Sequence, residues 1–147
     1  MAQRVDARFV ASPLAEETAF LLARARALGI TLANRRFAEV GLKARSYAVL
    51  SLAASDMQPN QRELAEFLSL DASQIVAIVD TLERAELVER KPDPSDRRSN
   101  VIVATPEGKR VYATAHKAAS EAESETLTAL SENERVELRR LLAKIAL

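Results

Sequence analysis

The stretch from Asn60 to Thr105 constrains the fold most, because two helices with recognisable N-terminal caps are followed there by two short strands. Asn60 can cap the first helix, and Glu63 stands three residues later, where its side chain can return a hydrogen bond to the cap. The apolar stripe of this first helix is predicted to contain Leu64, Phe67 and Leu68.

A second helix is predicted to begin at the cap pair Asp71 and Gln74. Apolar residues then recur at the i, i+3, i+4 and i+7 spacing of one helix face, which the core should cover: Ile75, Ile78, Val79 and Leu82. The opposite face carries Ser73, Gln74, Val76, Ala77, Asp80, Thr81 and Arg84. That second face is expected to remain open to another molecule.

Two strands follow, at Leu87–Arg90 and Val101–Ala104, and the second is rich in β-branched residues. Between them lies the polar and basic loop Pro92–Asn100. Two helices followed by a hairpin with a charged tip form the layout of a winged helix-turn-helix, in which the hairpin is the wing. The predicted fold class is therefore mainly α with a small β-hairpin.

The rest of the chain is predicted to be helical. Residues 1–13 are expected to form an N-terminal tail, and residues 14–147 a single domain. Long helices at 14–40 and 106–147 flank a lobe at 44–105; Gly41 ends the first of them and Pro106 takes the first helical position of the second. Ser131 and Glu134 form a capping box for the last helix.

The flanking helices carry more apolar surface than a lobe of roughly 45 residues can cover. We expect a second copy of the chain to cover it, in an isologous dimer that sets two winged lobes side by side. Such a dimer matches an inverted repeat in double-stranded DNA. The alternative, in which these helices fold back into a monomeric core, remains open.

Composition excludes several classes of protein. The 147 residues include no cysteine, so disulfides, thiolate metal sites and thiol redox switches are excluded. One histidine makes a zinc site unexpected, and neither a metal nor a cofactor is predicted. Because no apolar run could span a bilayer and the N-terminal residues Met1 to Asp6 lack the apolar core of a signal peptide, we expect a cytoplasmic protein. Hydrolase, phosphate-loop and zinc-protease motifs are missing, so the chain is not expected to be an enzyme.

The charge balance counts against unspecific attraction to nucleic acid. The chain has 21 basic and 21 acidic residues, and the stretch 56–110 has 8 basic and 11 acidic residues, a net charge of −3. Any DNA binding must therefore depend on a few well-placed charges. A winged helix that serves as a protein-interaction or assembly module, without specific DNA binding, is the alternative.

Several motifs between Gly41 and the C-terminus resemble those of the MarR family of bacterial transcriptional regulators. They are Gly41-Leu42, Tyr47-Ala48-Val49-Leu50, Glu63-Leu64-Ala65, Ile78-Val79-Asp80-Thr81-Leu82-Glu83, Leu87-Val88-Glu89-Arg90, Asp96-Arg97-Arg98, Thr105-Pro106-Glu107-Gly108 and Leu130-Ser131-Glu132-Asn133-Glu134. The resemblance implies a homodimeric DNA-binding regulator, often a repressor that small aromatic or anionic compounds release. The chain departs from the family pattern at Ala77 and Thr81, where basic residues are common, and at Glu86, where glycine is common.

The candidate base contacts lie on the open face of the second helix. Ser73 and Gln74 stand in its first turn, where side chains reach base edges, and a glutamine amide can pair with adenine through both of its polar atoms. Val76 and Ala77 could contact thymine methyl groups, and Thr81 lies on the same side one turn later. Packing of Val76 against a neighbouring helix is the alternative for that residue.

The candidates for contacts to the DNA backbone are polar residues at helix starts and beside the wing: Lys43, Ser46, Gln61, Arg62 and Lys91. Each of them is otherwise a solvated surface residue. In the wing, Arg97 and Arg98 are expected to enter a narrow minor groove, because a hairpin tip projects away from the core. Asp96 is expected to hold one of their guanidinium groups in place.

An effector site is expected from the resemblance, in a crevice between the long helices and the lobe. Tyr47, with Arg24 or His116 nearby, could orient a small aromatic anion there. The alternative is that Tyr47 is a core aromatic residue with its hydroxyl group at the surface.

Overall fold

The computed structural model describes residues 5–96 and 98–147 and contains seven α-helices and two strands in these ranges. The elements are α1 (Ala7–Val10), α2 (Thr18–Phe37), α3 (Ala44–Ala53), α4 (Gln61–Leu68), α5 (Ala72–Arg84), β1 (Val88–Pro92), β2 (Asn100–Ala104), α6 (Pro106–Thr126) and α7 (Glu132–Ala146). Two short 3-10 turns, Pro13–Glu16 and Ala38–Val40, flank α2. The predicted class, mainly α with one antiparallel hairpin, is confirmed.

The chain divides into two compact units, one made of residues 1–32 with 122–147 and one of residues 33–121. The second unit contains the helix-turn-helix, the wing and a continuous hydrophobic core. Its most deeply buried side chains are Phe37, Leu50, Leu64, Ile75, Leu82, Ile102, Val49, Val79 and Val88. The predicted core stripe of α5 is confirmed, with Ile78 partly buried against the same cluster.

The capping predictions for α4 and α7 are confirmed. Asn60 accepts a hydrogen bond from the Glu63 amide at 2.9 Å, and the Glu63 carboxylate accepts one from the Asn60 amide at 2.8 Å. Ser131 and Glu134 form the same reciprocal pair at the start of α7. One core prediction is wrong: Phe67 is 64% exposed. The buried stripe of α4 runs through Leu64, with Ala65 and Leu68 packed beside it, and Phe67 lies roughly 110° from the middle of that stripe.

Four of the described residues in the second unit lie in the left-handed backbone region, one of them Gln58 before α4 with φ of 49°. Gly41 follows the 3-10 turn after α2 with φ of 69°, Ser69 ends α4 with φ of 51°, and Glu86 follows α5 with φ of 58°. After α5, the Leu87 amide donates to the Leu82 carbonyl at 2.9 Å and the Glu86 amide to the Glu83 carbonyl at 2.9 Å. These two bonds form a Schellman motif, a position where glycine is usual and an L residue is strained.

The wing is tied to the helices at its base. β1 and β2 pair antiparallel, with Val88 opposite Ala104 and Pro92 opposite Asn100. The Ile102 amide also donates to the carbonyl of the buried Pro59 at 2.8 Å, and Asn60 forms an isolated bridge with Val101. The segment just before α4 is thereby bonded to β2, which fixes the base of the wing against the helix-turn-helix.

Thr105 joins the wing to α6. Its hydroxyl group donates to the Glu86 carbonyl at 2.7 Å and accepts from the Gly108 amide at 2.9 Å, so it caps the N-terminus of α6. Pro106 takes the first position of α6, as predicted. Gly108 lies against the backbone of the α5–β1 turn: a Cβ atom there would stand 1.8 Å from the carbonyl oxygen of Leu87.

The first unit differs from the predicted tail, because residues 7–10 and 13–16 are helical and Asp6 caps α1. Many of its apolar side chains are exposed in the single chain: Val5, Phe9, Val10, Leu14, Leu21, Leu22, Leu28, Val136, Leu141, Leu142, Ile145 and Leu147. Arg139 and Glu123 form an ion pair in this unit at 3.1 Å. Among the described helices, none is both long and apolar enough to cross a membrane.

Replacing Gly108 by alanine should destabilise the protein, because the added methyl group meets a backbone carbonyl that cannot move away cheaply. We expect Gly108→Ala to lower the free energy of unfolding by about 2 kcal/mol, the order of an overpacked site. Gly29→Ala is the matched control, since its Cβ would stand 3.7 Å from Thr126 Cγ2, an ordinary contact within the first unit. That control should be neutral or stabilising by up to about 1 kcal/mol. Urea unfolding of both variants measures the difference, and equal effects would contradict the close approach.

Candidate nucleic-acid interface and effector site

The face of α5 that is predicted to be open is largely exposed. Ser73, Ala77 and Thr81 are exposed, and Val76 is 39% exposed, so it is not packed into the core. Gln74 is half-buried. Because Ile75, Val79 and Leu82 are buried on the other side, this face is the part of α5 that can meet another molecule.

Gln74 has a structural task in addition to its predicted one. Its side-chain oxygen accepts a hydrogen bond from the Asp71 amide at 3.3 Å, which helps to cap α5. This bond is long, and so weak. The amide oxygen has a second lone pair and the NH2 group two donors, so Gln74 keeps polar atoms for the predicted base contact while it caps the helix.

Arg90, which stands on β1, clamps the wing to both helices. Its guanidinium group donates to Asp80 at 2.5 Å, to Glu83, and to the side-chain oxygen of Gln61 at 3.0 and 3.1 Å. The Arg90 amide also donates to Glu83 at 3.2 Å. One planar cation thus joins α4, α5 and β1, which a flexible ammonium group could not do with the same geometry.

This clamp determines where the negative charge of α5 lies. Burial opposes the charge of Arg90, but hydrogen bonds and charges from Asp80 and Glu83 outweigh it and raise the pKa of the guanidinium. The carboxylates of Asp80 and Glu83 are drawn toward the wing base and neutralised there. Gln61, which is predicted to contact the DNA backbone, uses its side-chain oxygen for this clamp and keeps its NH2 group as a donor.

The wing tip is shaped by short aspartate side chains. Asp93 accepts from the amide and the hydroxyl group of Ser95, both at 2.7 Å, and these bonds lower the pKa of its carboxyl group. Asp96 accepts from the backbone amide of Arg98 at 3.0 Å, so it braces the turn itself rather than the Arg98 guanidinium. Arg98 is exposed. Arg97, the other predicted minor-groove residue, lies outside the described residues.

The remaining residues predicted to contact the DNA backbone lie in the second unit. Lys43 is the exposed residue that precedes α3, and Ser46 is half-buried in the first turn of that helix. The start of α3 is capped from α2, because Asn34 accepts from the Ala44 amide at 2.8 Å. Arg62 and Lys91 are exposed and form ion pairs with Glu66 and Glu89, at 2.8 and 2.7 Å. Exposed pairs of this kind cost little to break, so both cations stay able to bind a phosphate.

Tyr47 and His116 are brought together as predicted, within an aromatic row. The Tyr47 hydroxyl oxygen lies 3.0 Å from His116 Nδ1, in a hydrogen bond whose donor is set by the histidine tautomer. Tyr47 stacks on Phe37 with ring centroids 4.7 Å apart and on Tyr112 at 6.1 Å, and Tyr112 lies 5.6 Å from the His116 ring. Burial, and then the neighbouring Tyr112, raise the pKa of Tyr47, which keeps its phenol protonated.

Arg24, the third predicted effector residue, is half-buried on α2 in the first unit. Its part in an effector site stays a prediction. The expectation that Tyr47 is a core aromatic is also partly met, since its ring packs against the hydrophobic core while its hydroxyl group reaches the exposed His116.

Sequence reasoning missed Arg90, Phe37 and Tyr112. The only signal for Arg90 was its place in the Val-Glu-Arg motif, and its three partners come from two other elements. Tyr112 stands four residues before His116, a spacing that puts both rings on one face of a helix, so it could have been found. Phe37 ends α2 and is brought to Tyr47 only by tertiary packing.

Two helices, an open recognition face and an anchored wing define a winged helix-turn-helix protein. A sequence model of the MarR family matches residues 42–100. A protein of Thauera aromatica described as a transcriptional regulatory protein for the hcr operon is 31% identical over 144 residues, which cover 95% of this chain and 84% of that protein. The chain belongs to the MarR family and is a DNA-binding transcriptional regulator of that family.

Solved structures agree over nearly the whole chain. A MarR-family transcriptional regulator from Rhodococcus sp. RHA1 is 35% identical, with a TM-score of 0.86 over 92% of this chain and 96% of that one. CouR from Rhodococcus jostii RHA1, solved bound to p-coumaroyl-CoA, is 36% identical, with a TM-score of 0.83 and the same coverage of both chains. CouR described as a transcriptional repressor and bound to a 23-mer DNA duplex matches with 32% identity and a TM-score of 0.82, over 91% of this chain and 95% of that one.

The Arg90 clamp should matter more to folding than any exposed ion pair. We expect Arg90→Lys to lower the free energy of unfolding by about 1–3 kcal/mol, because an ammonium group cannot serve Asp80, Glu83 and Gln61 together. Arg62→Lys, which alters one exposed pair with Glu66, should cost less than about 0.5 kcal/mol. Chemical denaturation measures both. Similar losses for the two variants would show that the clamp has no special role.

Proposed function

We propose that the protein is a transcriptional repressor that reads an inverted-repeat operator as a homodimer and leaves the DNA when a small aromatic effector binds. The observation that supports the DNA-reading part most strongly is the open face of α5 beside the anchored wing, in one lobe and with the acidic side chains of α5 turned away. Ser73, Gln74, Val76 and Ala77 would face the major groove, and Arg98 with Arg97 the minor groove.

Dimerisation is supported by the first unit. Its exposed apolar residues come from the N-terminal segment, α2 and α7, and a single chain leaves them in contact with water. Burial of apolar surface contributes about 25 cal/mol per Å², so a second copy that covers these residues gains stability. A twofold dimer would set two recognition helices about one helical turn apart, roughly 34 Å, which calls for an inverted repeat.

The net charge of −3 in residues 56–110 is compatible with DNA binding because of where the carboxylates lie. Asp80 and Glu83 are bound by Arg90, Glu63 by a helix N-terminus, and Asp96 by a backbone amide of the wing. None of these four carboxylates projects freely toward a phosphate. Exposed Lys43 and Arg98 stand at the two ends of the predicted contact region along the sequence.

The effector is proposed to be an aromatic carboxylic acid or its CoA thioester. Tyr47, Tyr112 and Phe37 form a row of stacked rings, and the Tyr47–His116 pair offers polar atoms at the edge of that row. A ring of the effector can stack there while a phenol or carboxylate replaces one partner of the Tyr47–His116 bond. CouR, 36% identical to this chain, is a relative solved with p-coumaroyl-CoA bound.

The protein is proposed to act without catalysis and without a cofactor, in the cytoplasm, where a bacterial regulator meets genomic DNA. Its effector would bind non-covalently and shift the population between two arrangements of the dimer, only one of which fits the operator.

Selection from a pool of random duplexes should enrich an inverted repeat with half-site centres about 10 base pairs apart. On that duplex, Arg98→Ala should lower affinity at least tenfold, about 1.4 kcal/mol, and should flatten the salt dependence by about two contacts per dimer. The physical reason is the loss of one exposed cation from each wing, with the core untouched.

Gln74→Ala is the comparison variant, and its melting temperature must be recorded because Gln74 also caps α5. It should lower affinity only on the selected duplex and relax preference at one base pair in each half-site by about 1–3 kcal/mol. A protein-interaction module would instead be favoured by two results together. The affinity of the wild-type protein for duplex DNA would not depend on salt, and the affinity of Arg98→Ala would equal that of the wild type.

Effector release should depend on the Tyr47 hydroxyl group. With p-coumarate and p-coumaroyl-CoA as probes, Tyr47→Phe should raise the concentration that releases half of the DNA by about tenfold, because the ring stays and one hydrogen bond is lost. Tyr112→Phe removes the same atom from a ring whose hydroxyl group does not bond to His116, and should change release much less. Affinity for DNA without effector should be unchanged in both. Unaltered release by Tyr47→Phe would argue against this site.

A further inference from the structure

Arg84, the last residue of α5, lies on the same face as the predicted base contacts. At roughly 100° per residue, positions 73, 77, 80 and 84 fall within about 60° of one another, directly opposite the buried stripe of Ile75, Val79 and Leu82. Arg84 is exposed. It is therefore the basic residue that the fold itself puts on the open face of the recognition helix.

The Arg84 side chain is held in one direction by its neighbours. Its Nε donates to the Asp80 carbonyl at 3.1 Å, and its Nη2 donates to the Thr81 hydroxyl oxygen at 3.2 Å. The Thr81 hydroxyl group in turn donates to the Ala77 carbonyl at 2.8 Å. The guanidinium group is thus folded back over the preceding turn, toward the N-terminal part of the open face, as long side chains on helices usually are.

The charge of Arg84 is not neutralised by its surroundings. In the part of the chain that the structure describes, no carboxylate pairs with it, and the hydrogen bonds it makes are to a carbonyl and a hydroxyl oxygen. The nearest acidic residue on its own face, Asp80, is bound to Arg90 at 2.5 Å. By contrast, Arg62, Lys91 and Arg110 each have a carboxylate partner. Two donors of the guanidinium group at Nη1 remain available for an anion.

We propose that Arg84 is a DNA-contacting residue that binds a backbone phosphate, and that Thr81 is its positioning residue. The inference rests on the proposed DNA-reading function. A phosphate is the expected target, because residues at the N-terminal end of a recognition helix reach base edges while this cation stands at the other end. The Arg90–Asp80 pair completes the arrangement by removing the one carboxylate on the open face that would repel the phosphate.

Arg84→Ala in the full-length protein tests the contact. Two probes are used: the duplex selected from a random pool, and a random-sequence duplex of about 30 base pairs, long enough for two half-sites one turn apart. Affinity should fall by the same factor on both, about three- to tenfold near 0.1 M salt, and the slope of log affinity against log salt should fall by about two for a dimer. Arg110→Ala, which removes the same charge from α6, is the matched control and should leave the slope unchanged.

The positioning role of Thr81 is tested by combining its substitutions with Arg84→Ala. Thr81→Val keeps the shape of the side chain but removes the hydroxyl group, so its affinity should lie between those of the wild type and Arg84→Ala. Thr81→Ser should restore the wild-type value. In the Arg84→Ala background, Thr81→Val should have no further effect, because a positioning residue has nothing left to position. Melting curves must show that every variant is folded; a purely structural Thr81 would change those curves without changing the salt slope.

Four outcomes would overturn the inference. If Arg84→Ala has the affinity and the salt slope of the wild type, Arg84 does not contact DNA, while the DNA-reading function stands. A loss confined to the selected duplex makes Arg84 a base reader and contradicts the phosphate assignment. If Thr81→Val and Arg84→Ala lower the affinity by independent factors that multiply in the double variant, the positioning role of Thr81 is contradicted. Wild-type protein that binds neither duplex in a salt-dependent way overturns the proposed function and this inference together.

Discussion

Burial of one apolar stripe of α5 is the constraint on which the rest of the structure depends. Ile75, Val79 and Leu82 are almost completely shielded from solvent, and each side chain of this kind contributes about 1.5–3 kcal/mol when buried. Because that stripe can face only the core, the residues opposite it must face outward. A rotation of α5 by one residue would expose these side chains and bury Asp80 or Thr81, so the open face cannot be exchanged for another. Recognition in this protein is therefore oriented by packing.

Arg90 adds an electrostatic constraint to the hydrophobic one. A lobe with more acidic than basic residues has to keep its carboxylates away from a phosphate backbone, and the structure binds two of them to a single guanidinium group at the base of the wing. The same bonds hold β1 to α5 and α4. Wing position and surface charge are thereby coupled, because a change that frees Arg90 also returns Asp80 to the open face.

The junction after α5 shows how the wing depends on unusual backbone. Glu86 adopts φ of 58°, where the family resemblance leads one to expect glycine, and its carbonyl accepts the Thr105 hydroxyl group that also caps α6. Gly108 then lets α6 approach the Leu87 carbonyl. The strain at Glu86, on the order of 1 kcal/mol, is offset by the Schellman bonds and by this cap. Recognition helix, wing and α6 thus meet where the Thr105 hydroxyl group bonds to the Glu86 carbonyl and where Gly108 lies against the Leu87 carbonyl.

The sequence by itself determined the helix-turn-helix, the hairpin, the caps at Asn60 and Ser131 and the buried stripe of α5, because these follow from local spacing and from side-chain hydrogen bonds over three residues. It also indicated the Tyr47–His116 pair, although only as one of two choices beside Arg24. Tertiary structure alone decided that Arg90 binds Asp80, Glu83 and Gln61, that Phe67 is exposed and that Phe37 stacks on Tyr47. Partners far apart in the chain leave no periodic trace in a sequence, since their meeting depends on how whole elements pack.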